Sequence, residues 1–135
     1  MRGLLLLAFF ISFIVFLMSL SLFLFYITPV SKFSYQATAM VTEDSGGFDV
    51  NSTALTFGSV ALGGSSTRAI FINNSYSFPV KVESVIEGSI ARIIIPSSII
   101  IQPFETSSFK ITVFADLNAS LGNYMGNVSI QLLRA

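Results

Sequence analysis

Hydrophobic residues run along this chain in two regimes. Residues 4–27 form a block of 24 positions without a charge, and Arg2 is the only charged residue before Lys32. At about 1.5 Å rise per residue this block makes a helix of roughly 36 Å, enough to cross a hydrocarbon core of about 30 Å with some tilt. Pro29 ends the helix, and residues 30–35 read as a short juxtamembrane linker, with Tyr26 and Phe33 at the interface that aromatic side chains favour. Beyond it the apolar period becomes two.

Ala37, Ala39 and Val41 alternate with polar residues, and Asp44-Ser-Gly-Gly47 predicts a turn. Short apolar runs follow over residues 55–60 and 67–73, at Val80, Val82 and Val85, and over 90–95 and 99–101. Phe109, Ile111 and Val113 then alternate with their neighbours, as do Val128, Ile130 and Leu132. β-Branched residues dominate these runs, and no stretch after residue 35 holds a helical period. Seven or eight short strands in about a hundred residues argue for an all-β, antiparallel, two-sheet sandwich behind one transmembrane α-helix. The expected layout is an anchor over residues 1–28, a linker over 29–35 and a single β domain over 36–135.

A cleaved secretory signal is the rival reading of the first segment, since Ala37-Thr38-Ala39 lies downstream. An apolar block longer than the roughly 7 to 15 residues of a signal favours the uncleaved anchor. Arg2 against Lys32 says little about orientation, but four of the six asparagines open Asn-x-Ser/Thr sequons: Asn51, Asn73, Asn118 and Asn127. With 28 Ser and Thr among 135 residues, chance supplies about one such match among six asparagines. The excess points to an extracytoplasmic, glycosylated C-terminal domain.

The chain has no cysteine and no histidine, so a disulfide framework and the commonest nucleophile–base pairs and zinc sites cannot be built. The region after the anchor carries six of the seven basic residues and all seven acidic ones, without the basic footprint that nucleic acid binding requires.

The stretch Thr67-Arg-Ala-Ile-Phe-Ile-Asn-Asn-Ser-Tyr-Ser-Phe-Pro-Val-Lys-Val-Glu-Ser-Val85, preceded by Leu55-x-Phe57-Gly58-x-Val60-x-x-Gly63, resembles the ASH/major-sperm-protein-like immunoglobulin-type domains. So does Pro96-Ser-Ser, Ile101-x-Pro103-x-Glu105-Thr106 and, after an alternating strand, Leu121-Gly-x-Tyr124-x-Gly126-x-Val128-x-Ile130. The resemblance covers residues 54–133 and implies an immunoglobulin-like sandwich of the kind used in scaffolds, adhesive modules and filaments. It implies no catalytic residue. A membrane anchor and a single repeat depart from a cytoskeletal member of that group.

Candidate chemistry is sparse. Gly58, Gly63 and Gly64 have P-loop glycine spacing, but Gly64 stands where the lysine belongs and a strand follows instead of a helix. They read instead as a hairpin-like turn needing positive φ. Glu43, Asp44 and Asp49 offer too few oxygens for a calcium site without help from elsewhere. Tyr124, between Gly122 and Gly126, reads as a structural tyrosine that packs on a loop and bonds backbone. Residues 93–95 and 99–101 are each three isoleucines in a row, which cannot all face one core, so some are expected to form an apolar edge suited to strand addition. Ala8, Ser12 and Ser19 place small residues on one stripe of the anchor helix, where a second helix can approach.

These features predict a non-enzymatic, single-pass cell-membrane protein that needs no cofactor or metal. Residues 4–27 would contact lipid, and the outer domain would meet envelope or surface proteins or a second copy of itself. The alternative is a subunit or accessory component of a surface filament, pilin-like or archaellum-type, for which Arg2-Gly3 stands in for a prepilin cleavage site. The glutamate found early in many pilin helices is missing.

Overall fold

The computed structural model of the chain describes residues 1–43 and 54–135. The expected turn at Asp44, the acids Asp44 and Asp49 and the sequon at Asn51 lie outside these residues. Helix α1 covers Arg2–Ile27, and none of its residues is buried. Thr28 closes it: its backbone N–H and its Oγ1 hydroxyl both donate to the Leu24 oxygen, the latter at 2.6 Å. Pro29 follows, so the helix cannot continue.

Eight strands follow among the described residues: β1 (Ser31–Thr42), β2 (Leu55–Ala61), β3 (Ser65–Asn73), β4 (Val80–Gly88), β5 (Ile94–Ile95), β6 (Ser98–Ile101), β7 (Thr106–Phe114) and β8 (Gly122–Arg134). They form a five-stranded sheet in the order β2-β1-β8-β4-β6 and a three-stranded sheet in the order β3-β7-β5. One apolar cluster joins the two, with Val80, Val82, Ile101, Val128 and Ile130 from the larger sheet and Phe109, Ile111 and Val113 from the smaller. Along β7 and β8 buried residues alternate with half-buried or exposed ones, which is the period-two pattern of strands with one face on a core.

The strand map departs from the sequence reading in four places. Residues 31–35, assigned to a linker, belong to β1, which pairs with β8 from Ser31↔Leu132 to Val41↔Gly122. The alternation that begins at Phe33 and Tyr35 is the first part of the Ala37, Ala39, Val41 series. Residues 90–95 are not one strand: Ser89–Arg92 is a 3-10 turn, after which β5 is only two residues long. A turn buries Ile90, Ile93 and Ile94, at spacings of three and four, where an extended strand would have exposed one of the adjacent pair.

The pairing is not wholly antiparallel either, because β1 and β2 run parallel. Their register slips between Thr38 and Met40, opposite Gly58, whose φ of 69° marks a bulge inside β2 and not the turn expected there. Finally, the turn at 62–64 is no hairpin. It carries the chain from the larger sheet to the smaller one and is bonded to Ala115 from both sides, Gly63 N–H donating to its oxygen at 2.6 Å and Ala115 N–H donating to Gly64 at 3.0 Å. Gly63 has a φ of 78°, whereas Gly64 is not among the positive-φ residues.

The topology gives the β domain two ends. The helix end holds the start of β1, the 74–79 loop between β3 and β4, the 102–105 loop between β6 and β7, and the end of β8. The far end holds the 62–64 turn, the 3-10 turn and the 115–121 loop.

Candidate functional site

The best-built part of the molecule is the helix end, where α1 meets the sheets. Thr28, Pro29 and Val30 alone separate the helix from β1. The ladder already begins at Val30, whose N–H donates to Leu132 at 2.8 Å. Arg134, at the last position of β8, reaches back to the final helical turn. Its Nη1 donates to the Phe25 oxygen at 3.1 Å, and its guanidinium lies 3.7 Å from the centre of the Phe25 ring and 5.3 Å from that of Phe78. Planar, permanently charged arginine suits such stacking, which is worth about 0.5–1 kcal/mol at an exposed site. Tyr76 stacks on Phe78 with ring centres 5.1 Å apart, and its hydroxyl donates to the Val30 oxygen at 3.3 Å. A cleft of about 530 Å³ runs between the helix and the domain, lined among others by Leu24, Thr28, Tyr76 and Arg134.

The loop that carries Tyr76 and Phe78 is shaped from inside by Asn74, the one buried polar side chain among the described residues. Its amide nitrogen faces three carbonyls, of Phe78 at 2.9 Å, Ile101 at 3.1 Å and Gln102 at 3.0 Å. Its Oδ1 accepts from Tyr76 N–H at 3.0 Å, and its own N–H donates to Glu105 at 2.8 Å. One side chain thus ties the 74–79 loop to the 102–105 loop and satisfies backbone groups that the ladders leave over. In the sequence this residue stood in the shadow of its neighbour, the sequon asparagine. Asn-Asn at a strand end was the available signal, since asparagine bonds nearby backbone at turns.

The remaining candidate residues are scattered. Asn73 is exposed at the helix end, where its Oδ1 accepts from Thr106 Oγ1 at 3.3 Å. Asn118 is exposed on the far-end loop and Asn127 on β8, opposite Gln36 and Glu87. Tyr124 is 8% exposed, and its hydroxyl donates to the Ser120 oxygen at 2.7 Å, closing the 115–121 loop. Gly122 has a φ of 127°, and a Cβ there would meet nothing. Gly126 is the opposite case: opposite Gly88 in the β4–β8 ladder, it approaches the chain so closely that a Cβ would collide with the Glu87 backbone oxygen. Ala8, Ser12 and Ser19 are exposed on the helix, and none of them is buried by the described residues.

The isoleucine runs divide. Ile93, Ile94 and Ile101 are buried, while Ile95 and Ile100 are 51% and 60% exposed. These two sit on β5 and β6, the edge strands of the smaller and the larger sheet. Among the described residues no group of three or more Asp or Glu could hold a metal ion.

Compared with known proteins, the chain matches no family model, no curated protein and no solved structure. Its reading therefore rests on α1, which is long and apolar enough to cross a membrane, and on the junction that ties α1 to the β domain.

Proposed function

We propose that this is a non-enzymatic, single-pass membrane protein that presents an immunoglobulin-like β domain outside the cell for interaction with envelope proteins. The observation that carries the reading is α1: 26 residues long, entirely exposed, and joined to a domain with its own separate core. An apolar side chain left in water costs about 1.5–3 kcal/mol, so a helix of this composition needs an apolar surrounding that the domain does not supply. The immunoglobulin-like assignment draws support from the two-sheet arrangement and from Tyr124, which is bonded to the backbone of the preceding loop as in a tyrosine corner. For a partner, β5 and β6 stand at sheet edges with Ile95 and Ile100 exposed on them, which suits strand addition.

The test is alkaline extraction and protease accessibility of the full chain in intact cells. It should stay in the membrane fraction and lose its β domain to external protease; release by alkali, or a domain protected until the cells are opened, would overturn the assignment. Cross-linking from position 95 or 100 should then capture an envelope protein.

A filament subunit is the second reading, favoured by the exposed small-residue stripe of Ala8, Ser12 and Ser19 on a helix with no buried residue. N-terminal sequencing separates the cases: a start at Leu4 supports the filament, and a start at Met1 the anchor.

A further inference from the structure

The helix end carries a second surface whose partner follows from where α1 ends. If α1 spans the bilayer, as proposed above, its last turn lies where hydrocarbon gives way to headgroups. At about 1.5 Å per residue a helix of this length outruns a 30 Å core only by enough to reach into the interfacial layer. Four Cα steps join Ile27 to Ser31, which hold the domain within roughly 14 Å of the helix even when fully extended. The actual separation is smaller, because Arg134 is bonded to Phe25 within the last helical turn and Tyr76 to Val30 just beyond it. The loops at this end are therefore level with the headgroups.

Their composition fits that place. The 74–79 loop, Asn-Ser-Tyr-Ser-Phe-Pro, has no charged residue, and Glu105 is the one acid in the 102–105 loop. Phe104 is 72% exposed at the tip of the latter, with a φ of 61°. A bulky residue in the left-handed region is disfavoured, and this largely exposed phenylalanine offsets little of that by packing inside the domain. Phe71, three-quarters exposed near the end of β3, and Tyr76 with Phe78 add aromatic surface, while Arg134 and the exposed Lys32 bring positive charge to the level of the phosphates. Aromatic rings with a polar rim and basic side chains are what the membrane–water interface selects. The far end exposes leucines instead, Leu117 and Leu121, and among the described residues its one exposed aromatic is Phe114, at the last position of β7 and 42% exposed.

We propose that the loops bearing Tyr76, Phe78 and Phe104, with Lys32 and Arg134 beside them, are a lipid-docking face that seats the β domain on the headgroup layer of the membrane crossed by α1. The domain then stands in one orientation instead of swinging on a tether. It presents the far end and the sheet edges to partners and keeps Asn73 close to the lipid surface.

The chain contains no tryptophan, so a single introduced indole reports its own surroundings. The full chain is reconstituted into phosphatidylcholine–phosphatidylglycerol vesicles, with Phe104→Trp at the helix end and Leu117→Trp, equally exposed, at the far end. Phe104→Trp should emit at shorter wavelength and be quenched by lipids brominated on the acyl chain at least about threefold more than Leu117→Trp, as an interfacial aromatic would. Ser77→Trp, in the other loop, should behave like Phe104→Trp and stands in for it if position 104 does not tolerate the larger ring. Equal quenching at the two ends, in protein that resists alkaline extraction from the vesicles, would overturn the docking face and leave the membrane anchor intact. Protein extracted by alkali would overturn the anchor, and the docking face with it.

Discussion

The two ends of the β domain are closed by different means. At the helix end a side-chain amide, Asn74, draws two loops together through four hydrogen bonds of its own side chain, and aromatic rings cover the result. At the far end the closure is made by small size: Gly88 and Gly126 face each other across the ladder, Gly88 with a φ of 96°, and Ile90 fits against them in the 3-10 turn. Ser89 locks that turn, its hydroxyl donating to the Met125 oxygen at 3.1 Å and accepting from Met125 N–H at 3.0 Å. The difference teaches that loop shape at the helix end is held by polarity from within, which leaves its outer surface free to be apolar. The far end is held by close backbone contact together with the Ser89 bonds, and its outer surface mixes charged residues such as Asp116 and Arg92 with exposed leucines.

If that contrast is right, substitutions at the two ends fail for different reasons. The largest effect is expected at Gly126→Ala, where the new methyl collides with backbone and Ile90 cannot yield enough. The full chain in detergent should lose about 4 kcal/mol in denaturant unfolding followed by tyrosine fluorescence, above the usual cost of overpacking because the clash is with backbone. A loss under 1 kcal/mol would show that the far end is not closed by contact.

Asn74→Ala comes next. It removes the partner of three carbonyls and one N–H, of which the Ile101 bond is buried and the others part-buried, and the lost bonds put the cost at about 3 kcal/mol. Hydrogen exchange should rise in both the 74–79 and the 102–105 loops and not at the far end. Exchange confined to one loop would mean that the amide does not couple them.

Tyr124→Phe removes only a partly exposed hydroxyl bond to Ser120, so a loss of about 1 kcal/mol is expected, with faster exchange confined to the 115–121 loop. Smallest for folding is Arg134→Ala, whose bond and ring contacts are solvent-exposed: the domain should lose no more than about 0.5–1 kcal/mol. Spin labels on α1 and on the far end should nevertheless report a broader distance distribution in that variant. An unchanged distribution would show that the three connecting residues alone set the helix–domain angle.

Much of this architecture was legible in the residues. An apolar block of fixed length and the alternation of Phe109, Ile111 and Val113 or Val128, Ile130 and Leu132 are local patterns, and α1, β7 and β8 stand where they pointed. The linker was misplaced because Pro29 and the aromatic residues at 33 and 35 resemble an interfacial tether, although their alternation already belonged to β1. The run at 90–95 reads as a strand because isoleucine favours strands, but Gly88 at positive φ and the bonds of Ser89 to Met125, 36 residues away, turn it out of the ladder. The site was less legible than the fold. Tyr124 stood out between glycines, but Asn74 and Arg134 gain their roles from partners up to 109 residues distant, which no local pattern encodes.

Local sequence therefore settled α1 and the long alternating strands such as β7 and β8, because burial of alternate or successive side chains is written in the order of residue types. Tertiary structure alone decided that β2 runs parallel to β1, that the 62–64 turn changes sheets, and that an arginine at the end of β8 grips the last turn of α1. Each depends on which segments lie side by side, and that is set by the shared core of two sheets and not by any one stretch of chain.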